Sequence, residues 1–160
     1  MYNIGDKIVY PMHGAGVIES IEEKEILGKR QKYYIMKMPI GEMKVMIPIV
    51  SSKDIGIREV IDQKEAENVM NVFKNGSIDM STNWNKRYRE NMDRIKSGDI
   101  YEVARVVKTL MTRDKIKGLS TGERKMLNNA KQILISELVL AKSMTQNDVE
   151  KMLDDIISNS

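Results

Sequence analysis

Seven residues, Asn83-Trp84-Asn85-Lys86-Arg87-Tyr88-Arg89, hold the single tryptophan of the chain inside its densest group of cations. The chemistry such a group does is binding: an indole offers flat apolar area, while ammonium and guanidinium groups meet phosphate oxygens. On a helix, spacings of three and four share a face, so Trp84, Arg87 and Tyr88 form one stripe and Lys86 with Arg89 a second beside it. In isolation the heptapeptide also reads as a core tryptophan next to an ordinary solvated face. The rest of the chain decides between the two.

Groups for covalent or hydrolytic chemistry are scarce. The absence of cysteine removes disulfides, thiolate nucleophiles and thiolate metal sites, and one histidine excludes a histidine metal cluster. Asp154 and Asp155 are helix neighbours that point about 100° apart, and Glu22 and Glu23 fall on opposite faces of a strand, so neither makes a working acid pair. His13-Gly14-Ala15-Gly16 lacks the third glycine and following helix of a phosphate loop. Strand residues Val17 and Ile18 follow instead, which makes the glycines a hairpin connection and His13 a turn or surface residue. The expectation is no enzyme, no metal, no cofactor and no small-molecule substrate.

Charge is unevenly spread over the 160 residues. The formal net charge is +3, yet residues 84–142 carry 14 Lys+Arg against 7 Asp+Glu, a net +7, while the segments before and after are slightly acidic. Concentrated positive charge favours a polyanionic partner, because displacing counterions from phosphates drives association. At 41% hydrophobic and 31% charged the composition is that of an ordinary globular protein. No apolar run nears 18 residues, and Met1-Tyr2-Asn3-Ile4-Gly5-Asp6 lacks the basic and apolar regions of a signal peptide, so a cytoplasmic location without membrane contact is expected.

Two kinds of element must position these residues. Up to about residue 60, short runs such as Ile8-Val9-Tyr10, Tyr33-Tyr34-Ile35-Met36 and Met43-Lys44-Val45-Met46-Ile47 alternate with Pro11, Gly14, Gly16, Gly28, Pro39 and Gly41, which predicts a small, bent antiparallel barrel. Beyond it the period lengthens toward 3.6. One helix starts near Asp62 with Ala66, Val69, Met70 and Phe73 inward and ends at Asn75-Gly76-Ser77; the next carries Trp84 and runs to about Ser97, before Gly98. Asp99, with Glu102 as capping partner, opens a third whose inner face is Ile100, Val103, Ala104, Val107, Leu110 and Met111, with Arg105, Lys108, Thr112 and Arg113 outward. Ser120 with Glu123 is a capping box for a long fourth, and Thr145 with Asp148 starts a fifth. The class expected is α+β: a barrel over 1–60 and a bundle of about five short helices over 61–160, its 13 methionines serving as core filler.

Several segments resemble the CarD/CdnL family of bacterial transcription regulators. They are Gly5-Asp6-Lys7-Ile8-Val9-Tyr10-Pro11 with His13-Gly14-Ala15-Gly16, Met46-Ile47-Pro48, Trp84-Asn85-Lys86-Arg87-Tyr88-Arg89, and Gly118-Leu119-Ser120-Thr121-Gly122-Glu123-Arg124-Lys125-Met126-Leu127, in the family's order across essentially the whole chain. The resemblance implies a Tudor-like barrel that binds the β subunit of RNA polymerase, followed by a helical domain on promoter DNA. It implies promoter complexes with the primary sigma factor, stabilised in the melted state near the upstream edge of the −10 element, and association with the nucleoid through polymerase. Trp84 would be the minor-groove wedge, Lys86, Arg87 and Arg89 would meet backbone phosphates, and Asn85 would be a further DNA-binding residue. The family's longer members carry a further low-complexity region, and this chain is similar to the short type, expected to be monomeric.

For the polymerase contact, an exposed barrel edge can add backbone to backbone to a partner strand. The candidate edge comprises Met43, Lys44, Val45, Met46, Ile47 and Pro48, where Lys44 and Met46 alternate with Val45 and Ile47 and Pro48 lacks a donor. Some relatives carry arginine at the position of Met46, so a more apolar contact is implied here. Lys24, in the preceding hairpin, is a further candidate. Two other readings remain open from the residues: a polymerase-binding adaptor in which Trp84 only packs between helices, and an RNA-binding module.

Overall fold

In a computed structural model, which describes residues 1–76 and 78–159, the chain is α+β, with a Tudor-like antiparallel sheet followed by helices. Strands β1 (Lys7–Tyr10), β2 (Gly14–Ile26), β3 (Lys29–Lys37), β4 (Lys44–Pro48) and β5 (Arg58–Glu59) pair in the order β4-β3-β2-β1-β5. A single helical turn, α1 (Ser52–Ile55), precedes β5. Then come α2 (Gln63–Asn75), α3 (Trp84–Lys96), α4 (Ile100–Ile116), α5 (Thr121–Lys142) and α6 (Gln146–Ser158). Ser77, expected to help end the first of these long helices, lies outside the described residues.

The sheet is built on one long hairpin. Leu27 and Gly28 both have positive φ, 53° and 78°, and join β2 to β3 through the two-residue turn whose twist matches that of paired strands. Between Ile18 and Ser20 the register shifts, leaving Glu19 as an extra residue that bends β2. Gly16 is not a turn residue, as its sequence context suggested, but lies inside β2. A Cβ there would meet the Met36 side chain at 2.5 Å and the Lys37 carbonyl oxygen at 2.7 Å, so the two strands approach only because it has no side chain. The connection from β1 to β2 is Pro11 to His13, and His13 is exposed against the Tyr10 ring. Ile8, Ile18, Tyr34, Met36, Met38, Ile47 and Ile57 form the sheet's apolar cluster.

The helix starts agree with their caps. Asp62, Asn83, Asp99, Ser120 and Thr145 each accept a hydrogen bond from a first-turn amide. Two side chains differ from expectation. Glu102 does not complete a cap with Asp99; its carboxylate pairs with Arg105 and Arg94. Lys108 does not point outward but is buried, its Nζ donating to the Lys74 carbonyl at 2.8 Å beside the Phe73 ring, and burial lowers its pKa. A long lysine stem packs along apolar surface and places its head on the free carbonyls at the end of α2, which pattern reading treats as a solvated position.

Helix α5 crosses both halves of the molecule. From Ile133 to Leu138 it is buried on every side, against the helical core on one face and β2 on the other. The sheet-facing contact is close: Ser136 Oγ accepts from the Ala15 amide at 2.8 Å, and a Cβ on Gly14 would stand 2.7 Å from that oxygen. The glycines of the His13–Gly16 segment thus seat the helix as well as the hairpin.

Candidate nucleic-acid interface

Trp84 is the first residue of α3, and Asn83 caps the helix by accepting from the Lys86 amide at 3.1 Å. The indole is 41% exposed yet held on three sides. One face stacks on Tyr88, with centroids 5.1 Å apart and planes 21° apart; Nε1 donates to Ser120 Oγ at 3.1 Å; and the outer ring edge lies over Gly122, where a Cβ would stand 3.3 Å away. The ring is therefore oriented before any partner arrives, and binding need not spend rotamer freedom to aim it.

The stripe expected to carry Trp84, Arg87 and Tyr88 is present, but Arg87 does not stand ready for phosphate. Only 6% exposed, it gives Nε to Glu123 Oε2 at 2.9 Å, Nη2 to Oε1 at 3.3 Å and Nη1 to the Ser81 carbonyl at 3.2 Å. A buried carboxylate recruits the nearest guanidinium, because an unpaired charge there is costly. Burial pushes the Glu123 carboxyl up, but the Arg87 bond and charge, with the Ser120 hydroxyl and Arg113, outweigh it and leave the group below its usual range. Arg87 thus fixes α3 on α5. Asn85, Lys86 and Arg89 are exposed beside the indole; Lys86 reaches Glu90 only at 3.9 Å, and Arg89 has no side-chain bond or ion pair among the described residues. The start of a helix, with free amides and a positive dipole end, adds to this as a place for an anion.

Local sequence pattern does not mark Ser120, Gly122 and Glu123 as neighbours of Trp84. The signal is a shared spacing: residues 84 and 87 meet 120 and 123, so two helix starts interlock turn for turn.

In the sheet, β4 is an edge strand. Met43 and Ile49 bond Met38 and Lys32 across β3, and the alternation of an antiparallel ladder then turns the backbone groups of Lys44, Met46 and Pro48 away from the sheet. Pro48 occupies a position where a missing N–H costs the sheet nothing. Side chains of Met43, Lys44 and Met46 are exposed, and Lys44 Nζ meets Glu19 at 2.9 Å. Val45 is half-buried and Ile47 fully buried, and both side chains pack into the sheet's core. Val50, exposed just past the strand, extends the apolar edge. Lys24 is exposed on the hairpin, 3.7 Å from Glu22. Among the described residues no helix is long and apolar enough to cross a membrane.

Comparison with known proteins covers both halves. Residues 2–61 match the CarD-like/TRCF RID domain, and residues 68–154 match the CarD C-terminal domain. Over 150 residues, 94% of this chain and 98% of the relative, the sequence is 47% identical to the Bacillus subtilis (strain 168) protein named "Putative transcription factor YdeB". With both halves matched in order, the chain belongs to the CarD family.

Proposed function

We propose that the chain is a transcription initiation regulator that binds the RNA polymerase β subunit through the β4 edge and contacts promoter DNA near the upstream edge of the −10 element through Trp84. In this reading residues 1–60 are the polymerase-interacting unit and 61–160 the DNA-binding unit, and the chain works as a monomer in the cytoplasm, held at the nucleoid by polymerase. Trp84 enters the minor groove of distorted DNA, with Asn85, Lys86 and Arg89 at its backbone and Arg87 holding the helix behind them. The observation that carries this is the exposed, three-sided clamp on the indole beside cations with little to pair with.

Supporting a distorted base step costs a few kcal/mol, which contacts on the bent duplex must offset. Few phosphate contacts give weak binding to free DNA, and tethering through the sheet raises the local concentration. Sequence choice then rests with polymerase and sigma, while this chain reads shape. The test is the lifetime of open complexes formed by purified polymerase and primary sigma factor, with and without the chain. A longer lifetime on addition is expected; no change at saturating occupancy of polymerase would sink the reading.

A further inference from the structure

A two-ended tether helps its second contact only when the span between the ends matches the distance to be bridged. Helix α5 supplies that span here. Its first turn holds the indole and Arg87 through Ser120 and Glu123, while a stripe at helical spacing further along lies on the sheet. In that stripe Asn129 donates to the Met12 carbonyl, Ser136 accepts from Ala15, and Leu140 receives Lys7 Nζ. At 22 residues the helix is about 33 Å long, one rod that runs from the turn holding Trp84 onto the sheet.

The firmest point of this seam is an ion pair. Glu137 is fully buried, and Arg58 Nη1 and Nη2 each reach one of its oxygens at 2.7 Å. The Ile61 amide adds a third bond at 3.0 Å, and Arg58 Nε donates to the Gly98 carbonyl at 3.2 Å. Strand β5, the segment leading to α2, the α3–α4 turn and α5 therefore meet at one ion pair. Apolar seams are non-directional and can slip, whereas a forked guanidinium–carboxylate pair has one good geometry and any other leaves a buried charge short of partners.

The geometry points to Arg58 and Glu137 as positioning residues that fix the angle between the β4 edge and Trp84, and so set where on the promoter the indole falls. This rests on the function proposed above. It predicts that loosening the pair harms promoter work without touching either contact surface.

The experiment uses the absence of native cysteine. Spin labels on Lys37→Cys and Asp93→Cys, both exposed positions on β3 and α3, report the distance between the halves in the free protein. The parent should give one narrow distribution. Glu137→Gln, and the double variant Arg58→Leu/Glu137→Leu that removes both charges without orphaning either, should broaden it. In label-free chains the same changes should shorten open-complex lifetime by about tenfold, toward the effect of an unmatched tether, with binding to a β-subunit fragment unchanged. A distribution that stays narrow, or one that broadens while lifetime holds, overturns the proposal. Should the double variant lose its helical circular dichroism, Glu137→Gln decides. A parent chain that leaves lifetime unaltered would overturn the initiation reading, and the distance distribution would still decide whether the pair fixes the angle.

Discussion

Two residues of the same stripe have opposite fates. Trp84 and Arg87 are one helical turn apart, yet the indole is presented to solvent and the guanidinium is taken inside by Glu123. The difference lies in what each meets on α5: Ser120 and Gly122 leave the ring half uncovered, whereas a buried carboxylate at Glu123 demands a cation. Arg87→Ala should cost about 3–5 kcal/mol by stranding Glu123, lowering the melting temperature on the order of 10 °C in a calorimetric scan. Because the folded carboxyl lies below its ordinary value near 4.5, the pair stabilises the chain above that pH, and the contribution is lost as pH falls through the lower folded value. Thermal melts across that acidic range should therefore show a loss in the parent that Glu123→Gln lacks. Gly122→Val is expected to displace the ring, seen as a changed Trp84 emission spectrum with the helical signal retained.

Among the elements, β4 divides its residues by direction. Met46 faces out and Ile47 in, so a charge at each should act on different properties. Met46→Asp should weaken binding to a β-subunit fragment by at least about tenfold with circular dichroism unchanged, while Ile47→Asp should unfold the sheet. Equal loss of fold in both would refute the edge assignment. The elements were largely legible in sequence because their signals are local: the change of period after residue 60, the caps at Asp62, Asn83, Asp99, Ser120 and Thr145, and the proline closing the edge. What local pattern hid depended on distant neighbours. Gly16 read as a turn because the β3 backbone pressing on it is about 20 residues away in sequence, and Lys108 read as solvated because its acceptor is the end of another helix.

In the whole molecule, the sheet and helices share a seam rather than a bare linker. An apolar run from Ile133 to Leu138, interrupted only by Ser136 and Glu137, was the sequence signal that α5 is buried all round. Its two polar residues meet Ala15 and Arg58, partners no periodicity could name. The candidate site was legible as a segment but not as an arrangement: the Trp84 cluster stood out by composition, whereas its clamp on Ser120 and Gly122 arises only when α3 and α5 pack. If one rigid body joins polymerase to DNA, raising salt should weaken the chain's hold on free DNA far more than its effect on promoter complexes, since the tether persists when phosphate contacts are screened. Equal loss of both on titration from low to moderate salt would speak against a tethered contact.

The most direct measurement is open-complex lifetime with Trp84→Ala at saturating concentration. Base–aromatic contact is worth about 1–3 kcal/mol, so the variant should bind polymerase as the parent does yet shorten the lifetime at least about fivefold. A variant that fully occupies polymerase and leaves the lifetime at the parent's value would show that the indole makes no contribution to holding the melted promoter.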